Sequence, residues 1–137
     1  MAIKSTAIIE QQMYEWLEQF MADKVSGGFY PSDCRPGNSA QEDAVLTVSY
    51  ADASQVQAGR AKLNIYVPDI DCGSNRVVPN KTRLQELSQL DETIIATLNE
   101  ADTDYLYFLS AATHTINDPD IGQHFVNINI GFKLITF

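Results

Sequence analysis

Basic residues are scarce in this chain: nine Lys and Arg stand against eighteen Asp and Glu among 137 residues, a formal net charge of −9. Such a surface repels phosphate backbones at long range and leaves few cations for counterion release, so neither nucleic acid nor an anionic membrane is an expected partner. Cysteine is nearly absent. Cys34 and Cys72 both sit in loop-like segments, too sparse a set for a disulfide-stapled secreted scaffold. No apolar stretch approaches a transmembrane span, and Glu10 interrupts the opening Met1 to Ile9 before a signal-type apolar region can form. The seven glycines fit neither a Walker loop nor a dinucleotide turn. These absences predict a protein made in the cytoplasm with free thiols and no cofactor.

What remains is an ordinary globular mixture, 45% hydrophobic and 20% charged. A chain of this length is one domain, residues 1–137, with room for a single core. No repeat of solenoid period is visible.

Hydrophobic periodicity then assigns the elements. Ile9, Met13, Trp16, Leu17, Phe20 and Met21 recur at three- and four-residue spacing and predict a helix over Thr6 to Ala22. Phe29-Tyr30-Pro31 suits a very short strand, and Ser32 to Asp43, rich in Pro, Gly, Ser and Asn, reads as a surface loop. Ala44 to Tyr50 alternates as a strand. Arg60 to Val67 does so more clearly, with Ala61, Leu63, Ile65 and Val67 inward and Arg60, Lys62, Asn64 and Tyr66 outward. Between them Ala51 to Gly59 makes a hairpin tip longer than the usual two to five residues. A second helix begins near Thr82, with Gln85 closing a capping box, and runs to Asn99 on a stripe of Leu84, Leu87, Leu90, Ile94, Ile95 and Leu98. Tyr105 to Thr113 is a third strand. A loop around Asn117-Asp118-Pro119 leads into the last, whose Val126, Ile128, Ile130, Phe132 and Leu134 alternate with Asn127, Asn129, Gly131 and Lys133. The expected fold is α+β: one antiparallel sheet of at least four strands, two helices packed on one face, order α-β-β-α-β-β.

Catalytic signatures are weak. His114, Asp118, Asp120 and His124 crowd one segment, and two imidazoles with carboxylates suit zinc or iron. Turn chemistry with histidines at the strand ends explains the same residues, so no metal ligands are assigned and a small metal-binding module or enzyme stays an alternative. Asp69-Ile-Asp71-Cys72-Gly73 resembles the start of a calcium loop, but Gly73 falls at position five and Asn80 stands at position twelve in place of a glutamate. Neither cysteine has an activating motif around it. Asn80-Lys81-Thr82 matches a glycosylation sequon but reads better as a helix start. No catalytic residue is assigned, and the chain is read as not an enzyme.

A different feature points to self-association. Arg60, Lys62 and Lys133 lie on outward strand faces with Asn127 and Asn129, while acids concentrate on the first helix and in loops. Basic sheet face and acidic remainder are complementary, the condition for head-to-tail contacts that can close into rings. With Asp52, Ser54, Gln55 and Gln57 of the hairpin tip, these residues form the predicted interface, together with strand edges. An open edge could equally accept a strand from another protein, which keeps a generic partner-binding domain as a further alternative.

The helix–hairpin–helix–hairpin order, the stretch Arg60-Ala-Lys-Leu-Asn-Ile-Tyr-Val-Pro-Asp69 and the closing Gly122-Gln-His-Phe-Val-Asn-Ile-Asn-Ile-Gly-Phe132 resemble the tail terminator and tail-completion proteins of long-tailed phages and prophages. The likeness covers nearly the whole chain in order of elements. It implies a non-enzymatic virion protein that assembles as a ring, often a hexamer, between the tail tube and the head-completion complex. It also implies residence in the bacterial cytoplasm during assembly and in the virion tail or neck afterwards.

Overall fold

A computed structural model describes residues 5–37, 39–52, 58–71, 73 and 77–135, without the side chains of residues 6 and 49–52. Helix α1 (Thr6–Met21) starts where Ser5 caps it, the hydroxyl accepting from the Ile8 N–H at 3.3 Å. Its stripe, Ile9, Met13, Leu17 and Met21, is buried. Strands β1 (Phe29–Pro31), β2 (Ala44–Asp52) and β3 (Ala58–Pro68) follow, then a small hairpin of β4 (Ile70–Asp71) and β5 (Val77–Val78). Helices α2 (Lys81–Ser88) and α3 (Asp91–Ala101) precede β6 (Tyr105–Leu109), β7 (His114–Asp118) and β8 (Gln123–Leu134).

The main sheet has six strands in the order β1-β2-β3-β8-β6, with β7 also paired to β8. It is mixed, not antiparallel throughout, because β1 runs parallel to β2 in the register Phe29↔Ala44. A parallel neighbour needs a crossover rather than a tight turn, and the loop 32–43 is that crossover. The expected helix order also changes. The second helix is two segments, with Asn80 in place of Thr82 as its N-cap, accepting from Arg83 N–H at 3.3 Å. Two side chains compete with the helical ladder at the break: the Ser88 hydroxyl donates to the Gln85 carbonyl at 2.7 Å, and Asp91 accepts from the Glu92 N–H at 2.7 Å.

All three helices lie on one face. Ala61, Leu63, Ile65 and Val67 of β3 and Val126, Ile128, Ile130, Phe132 and Leu134 of β8 join the helical stripes in one buried cluster. Each such Leu or Ile contributes about 1.5–3 kcal/mol relative to an exposed position. Tyr105 packs edge-on to Phe132, ring centroids 5.8 Å apart.

Strands β6 and β7 form one interrupted border along β8. Tyr105 to Leu109 pairs with Leu134 to Ile130, and His114 to Asp118 with Asn127 to Gln123. The segment from His114, expected as a loop, is thus half strand. Only residues 119–122 turn, closed by Ile121 N–H on the Asp118 carbonyl at 3.4 Å and by Gly122 at φ +64. A positive φ is where glycine costs least.

Candidate functional site: the outer sheet face

Register fixes what the uncovered face presents. Across the sheet run Tyr66–Phe125–Ile116, then Val45–Asn64–Asn127–His114, then Thr47–Lys62–Asn129, then Arg60–Gly131–Phe108, then Ala58–Lys133–Leu106. The face divides into a covered end, a polar middle and an open end.

The crossover loop covers the first. Arg35 stacks on Tyr66, guanidinium carbon 4.1 Å from the ring centroid, and Tyr66 meets Phe125 at 4.9 Å. Asp43, 0% exposed, holds the loop there. Its carboxylate accepts from Gly28 N–H at 2.8 Å, from Arg35 Nε at 2.9 Å and from the Ser39 hydroxyl. Arg35 also donates to Gln123 Oε1 at 2.8 Å. Burial pushes the Asp43 carboxyl up, but these donors outweigh it and hold it below its ordinary value. Gly27 leaves the necessary room, since a Cβ there would meet Asp43 Oδ1 at 2.0 Å. The preceding residue, Glu42, pairs with Arg83 of α2 through Nε at 2.8 Å and a second nitrogen at 2.9 Å. Two adjacent acids therefore tie the crossover to both layers.

In the middle, Asn127 donates to Asn64 at 2.7 Å and Asn129 donates to Asn127 at 2.6 Å. Asn127 is only 6% exposed. Of these two asparagines, expected as contact residues, Asn127 thus bonds across to β3 and Asn129 bonds to Asn127 along β8.

The open end carries Arg60, Lys62 and Lys133, all exposed as the alternation predicts. Beside them lie two side chains that sequence reasoning did not single out, Leu106 at 40% and Phe108 at 42% exposure. The Phe108 ring rests on Gly131, where an added Cβ would meet ring carbons at 2.4 and 2.6 Å. An aromatic ring laid over a cross-strand glycine shields backbone that has no side chain of its own. The sequence signal was present: Tyr105-Leu-Tyr-Phe-Leu109 is apolar at every position, so one of its faces must end outside the core. A depression of about 390 Å³ adjoins this patch, between Ala58, Arg60, Phe108 and Lys133. Of the hairpin-tip residues, Ser54, Gln55 and Gln57 lie outside the described residues. Asp52 ends β2 opposite Ala58, its side chain likewise outside them.

The β6 border is not open to a further strand at its centre. The Asn99 side chain of α3 accepts from Tyr107 N–H at 2.8 Å and donates to Tyr107 C=O at 3.0 Å, as a neighbouring strand would. Asp102 accepts from Tyr105 N–H at 3.3 Å and from the Tyr107 hydroxyl at 2.6 Å. Burial, then this carboxylate, pushes the Tyr107 phenol far up. Such capping blunts the edge against strand addition at that point.

The histidine cluster does not assemble. His114 pairs with Asn127 and His124 with Asn117, so the two rings project from opposite faces of the sheet. His124 turns toward the helices and meets Asp69, Nδ1 to Oδ1 2.7 Å. It lines a cleft of about 300 Å³ with Pro79, Leu84, Ser88 and Thr115. Asp118 and Asp120 stay at the turn. Among the described residues no group of three His, Cys, Asp or Glu is gathered as metal ligands. The acidic loop is the β4–β5 hairpin, where Asp71 accepts from Gly73 N–H at 2.9 Å. Cys34 is exposed as a free thiol, and Cys72 lies outside the described residues.

No protein-family model matches the chain, and no curated protein is detectably similar to it in sequence. Among the described residues no helix is long and apolar enough to cross a membrane.

Proposed function

We propose that this chain is a non-enzymatic structural protein of a phage or prophage tail or neck. It self-associates into a ring that terminates the tail tube or joins it to the head, acting in the bacterial cytoplasm during assembly and in the virion tail or neck thereafter. The sequence motifs of β3 and β8 support the family reading. The observation that carries self-association is the open end of the outer face, where Leu106 and Phe108 stand exposed beside Arg60 and Lys133. Apolar side chains clustered and rimmed by polar ones mark a contact surface. Tail-tube and head-completion proteins are the partners this reading names.

Light scattering behind size exclusion, with electron microscopy of the purified protein, tests it. Closed rings of one subunit number are expected. A monomer at every concentration up to about the millimolar range, where even weak contacts of a few kcal/mol populate, would refute self-association.

A further inference from the structure

Strand β7 pairs with β8, and its other side meets no strand among the described residues. Alternation along β8 tells which main-chain groups of β7 face that open side. Asn129 C=O accepts from Ser110 N–H and Ile135 N–H donates to Asp104 C=O, so odd-numbered residues of β8 bond toward the β6–β7 border. Gly122 C=O accepts from Asp69 N–H on the opposite side, as an even-numbered residue should. The register of β8 on β3 runs unbroken from Lys133 to Gln123, so the alternation holds throughout. His114, Ile116 and Asp118, opposite Asn127, Phe125 and Gln123, are therefore the residues that bond to β8. Thr115 and Asn117, both exposed, turn their N–H and C=O outward. On β6 the outward-facing Tyr107 is answered by Asn99. Among the described residues no side chain answers Thr115 or Asn117 in this way.

So short an edge restricts what can pair with it. In an antiparallel pair of two β7 strands, outward residues must meet outward residues. Thr115 opposite Thr115 would set Asn117 against Thr113, which lies outside the strand. Asn117 opposite Asn117 would set Thr115 against Pro119, which has no N–H. Thr115 opposite Asn117 uses every outward group, and it centres the pair on Ile116. The side chains agree with that register. His114 then stands opposite Asp118 of the second copy, an imidazole against a carboxylate, and the two-fold repeats the contact. Ile116 meets Ile116 of the second copy, which carries the row Tyr66–Phe125–Ile116 across the junction. Opposite charges and apolar pairs directly across a ladder are the combinations that stabilise it.

We infer that two copies of this chain join β7 to β7, antiparallel and centred on Ile116, so that their sheets run on as one. The contact is isologous: each copy presents the same surface, and the pair is closed by its own two-fold axis. It therefore goes beyond any contact that closes a ring, because it joins copies, or whole rings, in twos.

Sedimentation equilibrium on the whole chain tests it, with circular dichroism to check folding. Asn117→Pro removes an N–H that β8 does not use, a place where an edge strand tolerates proline. It should weaken the pairing by about tenfold or more. His114→Asp sets carboxylate against carboxylate and should weaken it too, whereas His114→Asp with Asp118→His restores the opposition and should recover it. Ile116→Cys, in a chain carrying Cys34→Ser and Cys72→Ser, reads the register. Non-hydrogen-bonded partners stand about 4.5 Å apart between Cα atoms, within disulfide reach, so mild oxidation should link two copies. Thr115→Cys in the same background should not link. Association unchanged by Asn117→Pro and His114→Asp, or none up to about the millimolar range, would overturn the pairing. Linkage through Thr115→Cys in place of Ile116→Cys would overturn its register. Rings that survive Asn117→Pro but no longer join in twos would support the pairing and leave the ring standing. Asn117→Pro monomers would support the pairing and refute the ring.

Discussion

Replacing Asp43 with Asn would remove one charge from the most buried ion pair in the described structure while keeping the side chain's shape. The Asn oxygen can still accept from Gly28 N–H, which stands 2.8 Å from the native carboxylate. Its amide nitrogen, however, would face Arg35 Nε, which the carboxylate now holds at 2.9 Å. Arg35 cannot readily leave, being only 13% exposed and stacked on Tyr66. Breaking one side of a buried pair in this way costs about 3–5 kcal/mol. For a domain of this size that corresponds to a melting temperature lower by roughly 10–20 °C. Glu42→Gln supplies the internal comparison. Its partner Arg83 is 29% exposed, so water can take up the freed charge and the loss should stay near about 1–2 kcal/mol. Urea melts followed by circular dichroism measure both. If Asp43→Asn unfolds within about 1 kcal/mol of the wild type, or Glu42→Gln is the costlier change, the crossover is not held by this pair.

The same carboxylate gives a pH dependence. Its folded-state value lies below the ordinary 3.8, so the native form binds fewer protons than the unfolded chain. The stability it contributes is present above that ordinary value and lost as pH falls through the lower folded one; in melts from about pH 2 to about pH 6, Asp43→Asn should flatten this acid limb. Asn99→Ala would strand the Tyr107 N–H and C=O on the β6 border, lowering stability by about 1–3 kcal/mol and raising light scattering as the border becomes available for pairing. Tyr107→Phe removes a 2.6 Å bond to a buried Asp102 and should cost about 1–3 kcal/mol in the same melts. Gly131→Ala would drive a Cβ into the Phe108 ring; the ring must swing away, with a loss of about 1–2 kcal/mol and weaker self-association in sedimentation.

The elements legible in advance were those with one wet face and one dry one. Strand β8 and strand β3 announce themselves by alternation, and α1 by its stripe, because burial on one side writes a period into the sequence. The inward set of β3 and its outward Arg60 and Lys62 were readable for that reason. Three features were not. The pairing of Arg35 with Asp43 and Gln123 joins residues far apart in the chain, and no local pattern records it. The break between α2 and α3 has neither Gly nor Pro; it turns on Ser88 and Asp91 choosing backbone partners within their own turn. The opposition of His114 and His124 depends on the length of the turn between their strands. Residues 119–122 form it, and the register it sets places His124 opposite Asn117, an odd number of positions along β7 from His114.

The Asn99 amide has a consequence for how copies of this molecule could be joined. A ribbon extended across subunits at β6 would be bound by the repetitive pairing of main-chain groups, insensitive to salt and slow to separate. By answering the Tyr107 amide from within its own chain, Asn99 removes that mode at this border. Attachment there must come from side chains instead, leaving its strength open to tuning one substitution at a time and its partner choice to be set by charge.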